Sequence, residues 1–276
     1  MAMDWSVLRQ PAPGTLGAAR EVAHWAVQWP ARAARANLAP AADDSHSALG
    51  WDAGLGALLS APLAAGTKAD ARVGVQLALL ELIVMRSGRT ELLQLEGCTP
   101  GTVNDWLDLK LKALGLKPAS GAKLPYEVAP RPLQSEPGLA ALARWFGAAA
   151  DVLEEVRAKT ARFRPGPGPV RLWPHHFDLA LRVSFDIGGG ESARSIGIGV
   201  SPGDGYYPQP YAYVSPYPAP RKPKLPALPP GAHWHTKDFF GAVASAEELL
   251  AQPDPRAALV KAIDAAFEAA MGWLHA

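Results

Sequence analysis

Between Arg171 and Pro218 the chain reads RLWPHHFDLALRVSFD and then SIGIGVSPGDGYYPQPYAYVSPYP, which gathers His175, His176, Asp178, Asp204 and a ladder of tyrosines into under fifty residues. Imidazoles, carboxylates and phenols on strand ends and loops are how a rigid scaffold presents a site. An alternating strand over Trp173–Phe185 sends successive side chains to opposite faces. His175 then shares a face with Phe177, and His176 shares one with Asp178. This His-x-Asp pair has the spacing with which a strand offers an imidazole and a carboxylate to a divalent metal. A further histidine, His233 or His235 in AHWHTKDF, would complete a facial triad of two histidines and one carboxylate. Iron or zinc would suit that set, and the enzyme would be an oxygenase or a hydrolase. The plainer alternative is that His176 and Asp178 hydrogen-bond each other or nearby backbone.

The second constellation surrounds Asp204, which lies between Gly203 and Gly205. Flanking glycines permit a tight turn that projects the carboxylate. Tyr206, Tyr207, Tyr211 and Tyr213 follow among prolines that restrict the backbone. Such a wall suits a flat, partly apolar molecule oriented by phenol hydroxyls. The leading expectation is therefore a small-molecule-binding protein whose pocket is lined by Trp173, Asp178, Asp204, Tyr206, Tyr207, Tyr211 and Tyr213. The competing expectation for the tyrosines is simple packing of the loop. A third is that the strap PYPAPRKPKLPALPPG docks a protein partner, with no pocket at all.

Composition narrows the classes. With 27 basic and 26 acidic residues the formal net charge is +1, which leaves no sustained field for a polyanion and argues against nucleic acid. The lone Cys98 can form neither an intramolecular disulfide nor a thiolate cage. The first residues, MAMDWSVLRQPAPG, lack the apolar core of a signal peptide, and no apolar run is long enough for a bilayer. The expectation is a cytoplasmic protein without membrane contact.

The elements that must position these groups are legible as patterns. Apolar residues recur at helical steps from Thr15 to about Leu38, with Pro30 expected to kink the helix. Thr99-Pro100 opens a second helix and Gly115 follows its end. Extended segments cover Ala48–Leu63, Arg72–Met85 and Thr90–Leu95, the last two joined at Arg86-Ser87-Gly88-Arg89. Pro118–Gly138 reads as a connection with a short strand candidate, Tyr126-Glu127-Val128. A long helix capped by Ser135 runs until FRPGPGPV. Strands follow over Arg171–Phe185, Ser195–Val200 and Tyr211–Val214, the first two separated by the turn Asp186–Gly190. Ser245 and Glu248 form a capping box, and Asp254-Pro255 starts the final helix.

This order predicts an α+β fold, a mostly antiparallel sheet with helices packed on one face. The chain reads as a single domain over 1–276. It contains two intimately packed halves, 15–117 and 135–276, joined by residues 118–134 and sharing the order helix, three strands, helix.

Trp173, Phe177-Asp178-Leu179-Ala180, the Gly203-Asp204 turn and the Tyr-Pro-rich segment to Pro218 together resemble an uncharacterised bacterial family, a domain of unknown function. The likeness extends from about Glu21 to the end and is more specific in the second half. Members of that family carry small residues where this chain has Pro174-His175-His176. The resemblance therefore supports Trp173, Phe177 and Asp178 more than it supports histidine-based metal binding, and it implies no mechanism.

Overall fold

Pro30 decides where the first helix breaks. It has no N–H to offer the carbonyl of Ala26, so α1 (Gly17–Ala26) stops there and α2 (Gln28–Asn37) starts two residues before the proline. The other helices of this computed structural model are α3 (Pro100–Ala113), α4 (Leu139–Thr160), α5 (Ala246–Leu250) and α6 (Pro255–His275). The first seven strands are β1 (Leu49–Asp52), β2 (Ala57–Ser60), β3 (Ala71–Gln76), β4 (Glu81–Arg86), β5 (Arg89–Gln94), β6 (Pro165–Pro167) and β7 (Arg171–Trp173). The remaining five are β8 (Asp178–Phe185), β9 (Arg194–Ser201), β10 (Tyr211–Tyr217), β11 (His233–His235) and β12 (Gly241–Ser245). The structure describes residues 4–63, 71–123, 126, 131–185 and 193–275. The expected turn at Asp186–Gly190 and residues Glu127 and Val128 of the short strand candidate lie outside them. Among the described residues, no helix is long and apolar enough to cross a membrane.

The fold is α+β with antiparallel strands, as the pattern predicts. Two compact units divide the chain, and α4 contributes residues to both. The N-terminal unit holds Leu16–Gly147 and Arg171–Phe177, and the C-terminal unit holds Met1–Thr15, Ala148–Val170 and Asp178–Ala276.

In the N-terminal unit the strands run in the order β7-β1-β2-β3-β4-β5. Helix α2 packs on β2 and β3, burying Leu58, Val73 and Val75. Trp29 is fully buried, and its indole N–H donates to Asn104 Oδ1 at 2.9 Å, which ties α2 to α3. At the start of α3 the Thr99 hydroxyl accepts from the Thr102 N–H, as the sequence predicts.

In the C-terminal unit the order is β8-β9-β10-β12-β11, with β6 beside β8. The edge strand β11 precedes its neighbour β12 in the chain, so the strand order of this unit does not repeat that of the N-terminal unit. Helix α6 covers one face, where Leu259 and Ile263 are buried with Ile198, Val214 and Ala244. The Ser245 hydroxyl accepts from the Glu248 N–H, and the Glu248 carboxylate accepts from the Ser245 N–H, so the capping box read in the sequence opens α5. Ser245→Ala should lower stability by about 1 kcal/mol in urea unfolding, the usual effect of deleting an N-cap.

Three expectations change. The supposed strand from Trp173 to Phe185 is two strands, because Pro174 cannot continue a ladder and a tight turn follows it. His176 and Phe177 both donate to the Trp173 carbonyl, at 3.1 and 2.7 Å, and Phe177 takes a left-handed φ of 59°. His176 and Asp178 are thus not alternate residues of one strand. The extended runs Ala48–Leu63 and Arg72–Met85 are likewise each broken by a turn, after Asp52 and after Gln76, the second with Leu80 at φ 52°. Helix α4 begins at Leu139, so Ser135 is not its cap.

Candidate functional site

Residues opposite each other in an antiparallel ladder share a face. On β10, Ala212 and Val214 point toward α6, which leaves Tyr211, Tyr213 and Ser215 on the other face. Their partners on β9 are Ser201, Gly199 and Gly197. Ala180 and Arg182 follow on β8, with Asp178 two residues before them. Val243 stands opposite Tyr213, and Gly241 lies two residues before it on β12. His233 and His235 of β11 pair with Val243 and Gly241. Asp178, Tyr211, Tyr213, His233 and His235 are therefore assembled on one face by register alone.

Hydrogen bonds join them. The Tyr213 hydroxyl donates to Asp178 Oδ2, and the Tyr211 hydroxyl donates to Asp204 Oδ2 at 2.6 Å. Asp204 Oδ1 accepts the Tyr206 N–H at 2.8 Å and the Tyr207 N–H at 3.2 Å, an Asx turn that fixes the loop before β10. Burial, and then the facing carboxylates, raise both Tyr211 and Tyr213 well above the ordinary phenol range. Both stay protonated and act as donors.

Tyr207 joins a different group. Its hydroxyl lies 2.9 Å from His233 Nε2 and 2.8 Å from His235 Nδ1. His233 Nδ1 lies 2.9 Å from Glu248 Oε1, and His235 Nε2 donates to the Lys237 carbonyl. Burial would raise the Glu248 carboxyl, but hydrogen bonds from Ser245 and the His233 ring together hold it below its usual value. His235 stacks on Phe239 with centroids 4.0 Å apart, and the Tyr206 ring stands edge-on to both. These rings are partly exposed, so the cluster is reachable from solvent.

Of the residues singled out in the sequence, Asp178, Asp204, Tyr206, Tyr207, Tyr211, Tyr213, His233 and His235 fall in the C-terminal unit. Trp173 and His176 belong to the N-terminal unit, where His176 is exposed on the turn after β7. The expected triad of His176, Asp178 and one later histidine is not formed. Among the described residues no group of three or more His, Cys, Asp or Glu side chains is placed to hold a metal ion. Sequence reasoning missed Arg182, Ser215, Gly197 and Gly241 as members of the polar face, and it saw Glu248 only as a cap. One signal was available: SIGIGVS puts Ser195, Gly197, Gly199 and Ser201 at every second position, which marks a strand with one apolar and one small polar face.

The N-terminal unit has its own histidine cluster. The His24 ring lies between Tyr126 and Phe177, with centroids 3.6 and 4.8 Å away. Its Nε2–H donates to the Pro174 carbonyl at 2.8 Å, which also accepts from Gln28 at 2.9 Å. Burial first, then the positive neighbours Arg20, His175 and His176, push His24 down to about 4. This ring is a neutral clamp on the turn that carries His175 and His176.

On the helix-covered face of the C-terminal sheet, a cavity of about 10 Å³ lies among Ala212, Val214, Ala242, Leu259 and Ile263. It has room for about one water and only apolar walls, so it is a packing defect and not a ligand site. Compared with family models, curated proteins and solved structures, the chain matches none.

Proposed function

We propose that the C-terminal unit binds a small molecule on the polar face of its sheet. The supporting observation is a row across the strands in which Arg182 stands opposite Gly197, Gly197 opposite Ser215, and Gly241 opposite His235, while a Cβ at Gly241 would lie 3.5 Å from the Ser215 Cα. Two glycines and a serine leave the middle of this row low, and Arg182 and His235 stand at its ends. Four strand spacings give the row a length of about 19 Å. Tyr213 and the Tyr207 cluster flank it. A flat molecule with hydrogen-bonding groups at its ends suits such a trough, because small residues let it approach the backbone while rings supply buried area.

Gly197→Val provides the test. A Cβ at Gly197 would come no nearer than 3.8 Å to the Ser215 carbonyl, so the fold accommodates valine while its side chain fills the trough. In a thermal-shift screen against metabolites, run with a chelator present, at least one compound should stabilise the wild-type protein. At a hundredfold excess over Kd the gain is about 2.7 kcal/mol. Gly197→Val should abolish that shift. A screen with no stabilising compound, or a shift that survives the valine, would sink the reading.

A further inference from the structure

The hydrogen bonds around Tyr207 pose a proton-counting problem. A carboxylate oxygen can only accept, so Glu248 fixes the His233 proton on Nδ1. A carbonyl oxygen can only accept, so Lys237 fixes the His235 proton on Nε2. In its neutral form each ring would keep its other nitrogen unprotonated. Both of these, His233 Nε2 and His235 Nδ1, face the same oxygen, at 2.9 and 2.8 Å. The Tyr207 phenol has a single proton and can satisfy only one of them.

Two imidazoles whose outer nitrogens are anchored by a carboxylate and a carbonyl, and whose inner nitrogens converge on one oxygen, form the arrangement that metal-ligating histidines adopt. We infer that His233 Nε2, His235 Nδ1 and Tyr207 Oη form a site for a divalent transition metal, with Glu248 and the Lys237 carbonyl as its outer supports. The third donor is a phenolate oxygen in place of a carboxylate, so the set differs from the His-x-Asp triad expected from sequence. The spacing of the two histidines on β11 supplies both rings on one face.

The two nitrogen–oxygen separations need only a small adjustment. A tetrahedral ion with ligand distances of about 2.0 Å holds its donors roughly 3.3 Å apart, so each nitrogen–oxygen separation opens by about half an ångström. Binding replaces the phenolic proton, which leaves to water as the O–metal bond forms. Imidazole with oxygen donors suits zinc and copper, with copper(II) the tighter of the two.

This inference rests on the polar face being a binding site, and its test is independent of the metabolite screen because that screen contains a chelator. Zinc(II) and copper(II) are titrated separately into the full-length chain by calorimetry in buffers of different ionisation enthalpy. The expected result is one ion per chain with release of about one proton. Copper(II) should also produce a visible phenolate-to-metal absorption. Tyr207→Phe should abolish that absorption and weaken binding at least tenfold, and Glu248→Gln should weaken it about 10–100-fold. His176→Ala, outside the cluster, should leave binding unchanged. No stoichiometric uptake of either ion by the folded wild-type protein overturns the inference, and so does uptake insensitive to Tyr207→Phe. Because phenylalanine keeps the ring, this variant carries the test even if a histidine substitution fails to fold.

Discussion

Replacing Gly199 with valine should lower stability by roughly 3–5 kcal/mol, the sum of overpacking and a lost hydrogen bond to a carboxylate. Gly199 stands opposite Tyr213 on one side and Ala180 on the other. A Cβ there would lie 2.6 Å from the end of the Tyr213 ring and its hydroxyl, and 2.8 Å from the Ala180 Cβ. Ala180 is fixed by the β8–β9 ladder, so Tyr213 must move. That movement withdraws its hydroxyl from the buried Asp178 carboxylate. Urea unfolding of three variants checks the cause. Gly197→Val, on the same strand and face, should cost less than 1 kcal/mol, within the range of ordinary strand substitutions. Adding Tyr213→Ala to Gly199→Val should recover part of the loss, because the clash with the ring disappears while the contact with Ala180 remains. If the two valines cost the same, the ring is not the reason that position 199 is glycine.

Lowering the pH should destabilise the protein through His24. Its ring is pushed from 6.5 to about 4 in the folded protein, first by burial and then by the charges of Arg20, His175 and His176. The unfolded chain takes up a proton below pH 6.5, and the folded chain does so only near pH 4. Stability from this group is therefore complete above pH 6.5 and is lost as pH falls toward about 4. The full loss is on the order of 3 kcal/mol. The turn it holds also carries His175, itself pushed down mainly by burial, with His176 adding and Asp44 opposing, so the two histidines act in the same direction. His24→Gln should be less stable than wild type at pH 7 yet lose less on going to pH 4.5. Equal pH dependence in the two proteins would falsify the role of His24.

Local signals in the chain placed many elements correctly. Thr99-Pro100 opens α3, Ser245 and Glu248 open α5, and Ser87-Gly88, both at positive φ, close the β4–β5 hairpin. These succeed because a cap or a turn is decided by residues a few positions apart. The strand reading of 173–185 failed for a related reason. Alternation was extended through Pro174, where one missing N–H allowed a turn that moves His176 off the strand. The polar face was legible only in pieces. The alternation of SIGIGVS and the His-x-His spacing were both visible, but the register that brings His233 beside Tyr207 depends on β12, which comes later in the chain and inserts between β10 and β11. No local pattern encodes such an insertion. Trp173 looked like a member of the site through nearness in sequence, and the boundary between the compact units falls between it and Asp178.

Glu248 divides its two oxygens between separate tasks. Oε2 accepts from the Ser245 backbone and hydroxyl at 3.0 and 2.7 Å, while Oε1 meets His233 at 2.9 Å. Nucleating the short helix and aiming the imidazole are consequently one cooperative event. Fraying of this five-residue helix would therefore loosen the carboxylate that the His233 ring leans on, while the β11–β12 ladder still holds its backbone.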